Sequence, residues 1–349
     1  MTAGLAISLD AMGGDNAPDM VIRGADIARQ RFPSVRFQFY GDQARLKPII
    51  DKLPALAAVS SVHHADTVVT MEDKPGQALR AGRGSSMRLA IDAVQRGEAH
   101  AVVSAGNTGA LMAMAKFVLK TVPGIDRPAI ASFFPTMRSE SVMLDLGANV
   151  QCDASNLVQF AVMGNVFART VLGVREPSVG LLNVGAEEMK GNEAVKEAAA
   201  ILRQVSLPGR FHGFIEGDDI AKGTVDVIVT DGFTGNVALK TIEGTVKLYG
   251  HFLRQSFGSA ILAKLGYLLA RPALNALRAR VDPRRYNGAI FMGLSGICVK
   301  SHGGTDAFGF ANAIGVAVDM VQNDAIENMK RDFEQMMSIP GAVAGSAAI

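Results

Sequence analysis

The sequence has no tryptophan and few aromatic residues: Phe, Trp and Tyr together make up 6% of its 349 positions. That poverty argues against a surface built to stack nucleic-acid bases. It has two cysteines, Cys152 and Cys298, and no CxxC pair. A disulfide framework and a structural zinc site are thereby disfavoured, and both thiols read as small buried apolar groups. Charge of one sign is also lacking. The 35 Lys and Arg nearly balance the 33 Asp and Glu, giving +2, so bulk attraction to nucleic acid is not expected. The most apolar stretch, residues 261–277, is interrupted by Lys264, Arg271 and Pro272 and falls short of the ~20 apolar residues that span a bilayer. No basic segment followed by an apolar core stands at the start, so the expected location is cytoplasmic.

Several catalytic signatures are missing too. The one GxG, Gly82-Arg83-Gly84, has Met87 where a dinucleotide fingerprint needs glycine. There is no Gly-Lys dipeptide for a Walker loop and no His-Glu for a zinc protease helix. Gly293-Leu294-Ser295-Gly296-Ile297 approaches a nucleophile elbow, but Ile297 breaks it.

What is present is a regular alternation in a chain that is 48% hydrophobic. Short β-branched runs predict strands over residues 5–10, 35–40, 62–70, 99–104, 129–134, 141–146, 179–183, 211–216, 225–230 and 290–299. Amphipathic spacing predicts helices over 18–31, 43–52, 84–95, 108–119, 155–172, 193–205, from 236 onward, and over 306–337. A helical pair broken at Pro272 is expected over 258–281. The alternation implies an α/β fold, a mainly parallel sheet with helices on both faces and one antiparallel hairpin at 129–146. Residues 1–337 read as one catalytic domain with the helical pair inserted, and 338–349 as a loose tail.

Five Gly- and Asn-rich loops follow predicted strands and lead into helices. The first holds Asp10, Gly13, Gly14, Asp15 and Asn16; the second holds Ser104, Gly106, Asn107, Thr108 and Gly109. Glycines let backbone approach a ligand, and a helix start points N–H groups at it, which suits a small anion. Each loop alone is an ordinary turn; several converging loops make an anion site. The third loop contains Lys190 and Asn192, and its ammonium suits an anion or a developing oxyanion. The fourth contains Asp231 and Asn236, with Asp231 equally suited to capping a helix. In the fifth, His302 suits phosphate binding or proton transfer, or a purely structural place. Acidic residues at 216–219 read as solvated turn carboxylates, so no metal is expected.

Taken in order, the blocks DAMGGDNAP, SAGNTGAL, DLGAN, LLNVGAEEMKGN, FIEGDDI, VTDGFTGN and SHGGTDA resemble the bacterial phosphate acyltransferases of the PlsX type. The resemblance runs from Asp10 to about Ala307. It implies an α/β/α sandwich like isopropylmalate dehydrogenase and phosphotransacetylase. It also implies transfer of a fatty acyl group from acyl-acyl carrier protein to inorganic phosphate, with acyl phosphate feeding phospholipid synthesis and no cofactor. Homodimers and peripheral membrane association are further implications. By motif match, Lys190, Asp231 and Asn236 are the catalytic candidates, and the first two loops with Asn192 and His302 bind phosphate or substrate. Alternatives on the same residues are a phosphotransacetylase-like enzyme using CoA and a non-catalytic membrane-surface protein.

Residues 254–285 carry seven Lys and Arg against one acid, Asp282. Ile261, Leu265, Leu268 and Leu269 recur at helical spacing. A basic amphipathic helix of this kind either lies on an anionic bilayer or pairs subunits.

Overall fold

The computed structural model describes residues 4–205 and 207–337. The strands are β1 (Ala6–Asp10), β2 (Arg36–Gly41), β3 (Ser60–His64), β4 (Ala101–Ser104), β5 (Ala129–Pro135), β6 (Glu140–Leu144), β7 (Ser178–Leu182), β8 (Arg210–Ile215), β9 (Val227–Val229), β10 (Ala289–Met292) and β11 (Ile297–Lys300). The helices are α1 (Asp19–Arg31), α2 (Gln43–Ile50), α3 (Pro54–Ala57), α4 (Pro75–Ala81), α5 (Ser86–Gln95), α6 (Thr108–Leu119), α7 (Ala154–Val171), α8 (Glu193–Leu202), α9 (Gly217–Lys222), α10 (Gly232–Gly258), α11 (Ile261–Arg280), α12 (Ala307–Gln322) and α13 (Ala325–Met337).

All eleven strands join one sheet in the order β3-β2-β1-β4-β11-β10-β5-β6-β9-β7-β8. Successive strand residues point to opposite faces, and two separate cores result. Ile7, Leu9, Val142, Leu144, Val227 and Val229 pack beneath one helical layer, while Val102, Met143, Ile228 and Phe291 face the other. This is the expected three-layer α/β/α sandwich. The helix α7 is buried along almost its whole length. It lies close on the sheet because Gly164 has no side chain: a Cβ there would stand 2.4 Å from Val227 Cγ1.

Strand direction decides what the loops can share. β1, β2, β3, β4 and β11 run parallel. β10 is antiparallel to β11 and to β5, and β5 is antiparallel to β6. β6, β9, β7 and β8 are again parallel to one another. Following the pairings across the sheet, the second parallel group runs opposite to the first. The carboxyl ends of β1, β4 and β11 therefore lie on one edge of the sheet, and those of β6, β7 and β9 on the other.

Several expected boundaries change. The strand expected over 62–70 is β3 alone. The carbonyls of Thr70, Met71 and Asp73 are taken by the Asn107 side chain, not by a ladder. The strand expected over 290–299 is a hairpin, β10 and β11, turned at Gly293 with φ +92°. The helix expected over 306–337 is split at Asp324, whose φ is +49°. The pair expected at 258–281 is displaced: its members are α10, 27 residues long, and α11, which runs unbroken through Pro272. An interior proline costs about 3 kcal/mol, but the flanking Leu, Ala and Arg are strong helix formers. No residue of α11 is buried. Among the described residues no helix is long and apolar enough to cross a membrane. The tail at 338–349 lies outside the described residues.

Candidate functional site

The first pole forms where β1, β4 and β11 end. Leu9 pairs with Val103, and Lys300 pairs with Ser104, so the three loops leave the sheet side by side. Asp10 is fully buried there, and its carboxylate accepts the hydroxyls of Ser86 at 2.6 Å and Ser104 at 2.7 Å. Burial pushes its pKa up, and the hydroxyl donors partly oppose the shift. The Ser104 hydroxyl also accepts the Gly106 amide at 3.0 Å. Gly13 is squeezed between the loops: a Cβ on it would lie 2.5 Å from Asp10 Oδ2 and 2.8 Å from Gly106 N. Gly14 has φ +100° and abuts Ala105 and the Gly303 carbonyl. The Asp15 amide donates to that carbonyl at 3.0 Å, and Asn16 Nδ2 reaches the Thr305 carbonyl at 3.4 Å.

Asn107 spends its side chain within the protein. Its Oδ1 accepts the Ala110 amide at 3.1 Å, capping α6, while its Nδ2 holds the 70–73 carbonyls at 3.0–3.2 Å. Thr108 is exposed, and Gly109 packs under Pro75. His302 is exposed; its Nδ1 accepts the Gly304 amide at 3.1 Å, so Nε2 carries the proton of the neutral ring. The His302 amide donates to Asn287 Oδ1 at 2.9 Å.

The second pole forms where β6, β7 and β9 end. Asp145 is fully buried and accepts amides of Ile130, Gly147, Ala148 and Asn149 at 2.7–3.2 Å, which folds the 145–149 loop around it. Asp231 is the N-cap of α10, taking the Thr234 amide and hydroxyl, each at 2.8 Å. Asn236 Nδ2 donates to the Leu146 carbonyl at 3.0 Å. Lys190 is half-exposed, and its ammonium pairs with Glu187 at 3.0 Å. Asn192 Oδ1 accepts the Val195 amide at 2.9 Å, capping α8. Apolar side chains stand exposed here: Val184 and Met189 on the loop after β7, and Phe233 and Val237 at the start of α10. Cys152 sits close by, its thiol pushed up to about 12 by burial and by the charges of Asp145 and Asp231.

The expectation of one crevice shared by all five loops is therefore corrected. The structure brings together Asp10, Gly13, Gly14, Asp15, Asn16, Ser104, Gly106, Asn107 and His302. It brings together Lys190, Asp231 and Asn236 only at the opposite edge. Among the described residues no hydrogen bond or ion pair joins the two groups. The reason is topological: the antiparallel segment β10-β5-β6 reverses the sense of the second half of the sheet. The acidic residues near 217 are used locally, with Asp218 and Asp219 pairing to Lys222 at 2.6 and 3.3 Å.

Two participants in the first pole escaped the sequence reading. Ser86, within the failed fingerprint, serves Asp10 from the start of α5. Lys300 ends the buried strand β11, and its signal is a single lysine closing an apolar run directly before Ser301-His302-Gly303-Gly304.

The family described as fatty acid synthesis protein matches residues 5–328. The chain is 65% identical over 344 residues to a phosphate acyltransferase of Rhodospirillum centenum, covering 99% of this chain and 97% of that one. It is 61% identical over 336 residues to a phosphate acyltransferase of Paramagnetospirillum magneticum, covering 96% of each. Among solved structures it resembles a phosphotransacetylase from Streptococcus pyogenes, with TM-score 0.62, 15% identity and coverage of 92% and 95%. It also resembles 4-hydroxythreonine-4-phosphate dehydrogenase from Klebsiella pneumoniae, with TM-score 0.52, 14% identity and coverage of 92% and 99%. At such identities these two likenesses speak to the fold alone.

Proposed function

The chain belongs to the phosphate acyltransferase family of fatty acid synthesis proteins and is an acyltransferase, and from that premise we propose that it moves a fatty acyl group from acyl-acyl carrier protein to inorganic phosphate. The acyl phosphate then supplies phospholipid synthesis. The observation that carries the reading is the match of almost the whole chain, at 65% identity, to a relative named for phosphate acyl transfer.

Orthophosphate is anionic near neutral pH and is its own nucleophile, so no acyl-enzyme is required. A phosphate oxygen bonds to the thioester carbonyl carbon, the carbon–sulfur bond breaks, and the departing thiolate takes up a proton. The protein supplies position and charge stabilisation. In this reading phosphate rests on the amides of the first pole. Lys190 leaves Glu187 to meet the oxygen that becomes negative, a contact of the kind worth about 3 kcal/mol in oxyanion sites. Asp231 orients a donor or accepts a proton, and Asn236 fixes the 145–149 loop through the Leu146 carbonyl. The exposed Val184, Met189, Phe233 and Val237 offer an apolar rim for the acyl chain.

Lys190 and the phosphate loops stand at opposite edges within one chain, and the homodimer implied by the family resemblance supplies a second copy to close that gap. The stripe of Lys264, Arg271 and Arg278, spaced seven apart on the continuous α11, favours an anionic membrane surface and an acidic carrier. Ile261, Leu265, Leu268 and Leu269 are exposed on the same helix and are the side chains for lipid or a partner subunit. Flotation on anionic liposomes should be lost in a Leu265→Glu/Leu269→Glu variant; unchanged flotation removes the lipid role. The function itself is tested by incubating acyl carrier thioester with the protein, with and without phosphate, and identifying the acylated product. Acyl phosphate formed only with phosphate supports the reading; free acid or acyl-CoA-dependent turnover alone overturns it.

A further inference from the structure

Lys300 is nine-tenths buried, and yet among the described residues it forms no ion pair. Its Nζ donates to the Ala105 carbonyl at 3.4 Å and to its neighbour, the Ser301 carbonyl. Both acceptors belong to the Gly-rich loops of the first pole. An ammonium has three N–H groups, so one donor is left over. The carboxylates that feel its charge are Asp10 and Asp15. Asp10 is already engaged by two serine hydroxyls, and Asp15 is exposed. A lone ammonium in such a place is unfavourable for folding unless something compensates it. A Met or Leu would end an apolar strand such as Ile297-Cys298-Val299 at less cost.

Beside these acceptors the surroundings also offer donors. Among the described residues the amides of Gly14, Asn107 and Gly303 have no hydrogen-bond acceptor. They come from three loops, two of which Lys300 ties together through the Ala105 and Ser301 carbonyls. A buried cation beside backbone amides left free on three converging loops matches a compact polyanion with several acceptor oxygens. We propose that Lys300 is the charged anchor of an orthophosphate site at the carboxyl ends of β1, β4 and β11, bridging the 104–109 and 301–306 loops and binding phosphate with its remaining donor. The assignment names the nucleophile's site and rests on the phosphate acyltransferase reading.

Burial lowers the Lys300 pKa to about 8, against the opposing charges of Asp10, Asp15 and Cys298. Other titratable groups around it are the Cys298 thiol, pushed up by burial, and His302, two residues along the chain. The ammonium is therefore present below that value and lost as pH rises through it. An arginine keeps its charge throughout this range. Phosphate affinity then carries a pH signature that a merely structural lysine does not produce.

The test is calorimetric titration of inorganic phosphate into the full chain from pH 7 to pH 9, for the wild type, Lys300→Arg and Lys300→Met. Phosphate's own ionisation is common to all three and cancels in the comparison. The wild type should lose affinity relative to Lys300→Arg as pH rises past about 8. Lys300→Met should bind phosphate about tenfold or more weakly at pH 7, the loss expected for one charged hydrogen bond. Parallel wild-type and Lys300→Arg pH profiles, or unchanged phosphate affinity in a folded Lys300→Met protein, overturn the assignment. If Lys300→Met does not fold, the Lys300→Arg profile alone decides. The same preparations are assayed for acyl phosphate. Lys300-dependent phosphate binding without turnover would remove the acyl-transfer reading and leave the phosphate site standing.

Discussion

The carboxylate of Asp10, at the end of β1, accepts the hydroxyl of Ser104, at the end of the neighbouring β4, at 2.7 Å in the protein interior. This bond ties two loops into one unit, with Ser86 as a second donor at 2.6 Å. A buried carboxylate is costly unless its oxygens are satisfied, so these hydroxyls are what allow an aspartate here.

Asp10 also sets a pH dependence of stability. Burial raises its folded pKa above the unfolded value, about 3.9. The folded state therefore holds the proton longer than the unfolded state. The contribution of Asp10 is fully present below the unfolded value and is lost as pH rises through the folded one. Asp10→Asn should thus gain stability relative to the wild type as pH rises from acid toward neutral. Chemical denaturation at a series of pH values checks this, and a constant difference between the two proteins would contradict it.

Asp231 separates capping from chemistry. Asp231→Ala should cost about 1 kcal/mol of stability through loss of the α10 cap. Asp231→Asn keeps an N-capping oxygen and removes the charge, so it should melt close to the wild type. If the carboxylate takes part in proton transfer, turnover of Asp231→Asn should fall about a hundredfold or more. Full turnover in Asp231→Asn would leave it a cap residue.

Two glycines of the same helix should respond with opposite sign. A Cβ on Gly235 would stand 1.9 Å from the Asp145 carbonyl oxygen, so Gly235→Ala forces the 145–149 loop off the start of α10. Gly244 has nothing within 4 Å of its added Cβ, and alanine there should stabilise by up to about 1 kcal/mol. Thermal melts of the two variants check the contrast.

Much of the sheet was legible because strand and helix periodicities differ and the turn residues punctuate them. The loops of β1 and β4 could be placed at a common edge from their order alone. The split between poles could not, because sequence alternation carries no sign for strand direction across β10-β5-β6. Lys300 was overlooked because a lone lysine has no pattern; only the fold shows that it ends in the interior. Pro272 misled in the other direction, since a proline inside a long run of helix formers bends the odds without ending the helix. Asn107 and Asn236 looked like free donors, and packing spends both on backbone carbonyls.

The separation of the poles makes a dimer testable by mixing. Lys190→Ala disables the second pole, and a bulky substitution such as Gly106→Val disables the first, since a Cβ there would already meet Met87 Cε at 2.7 Å. If each site draws on two subunits, co-refolding the two inactive variants should restore activity toward about a quarter of the wild type, as mixed dimers hold one intact pair of poles. No recovery, with mixed dimers shown to form, would mean that the poles act separately.

The most direct measurement is a single turnover with acyl carrier thioester and oxygen-18-labelled phosphate. The account predicts free carrier thiol and acyl phosphate in equal amounts, with every oxygen of the phosphoryl group, including the one bridging to the acyl carbon, carrying the label, and no acylated protein when phosphate is withheld. Thiol release without phosphate, or a trapped acyl-protein bond, would contradict it.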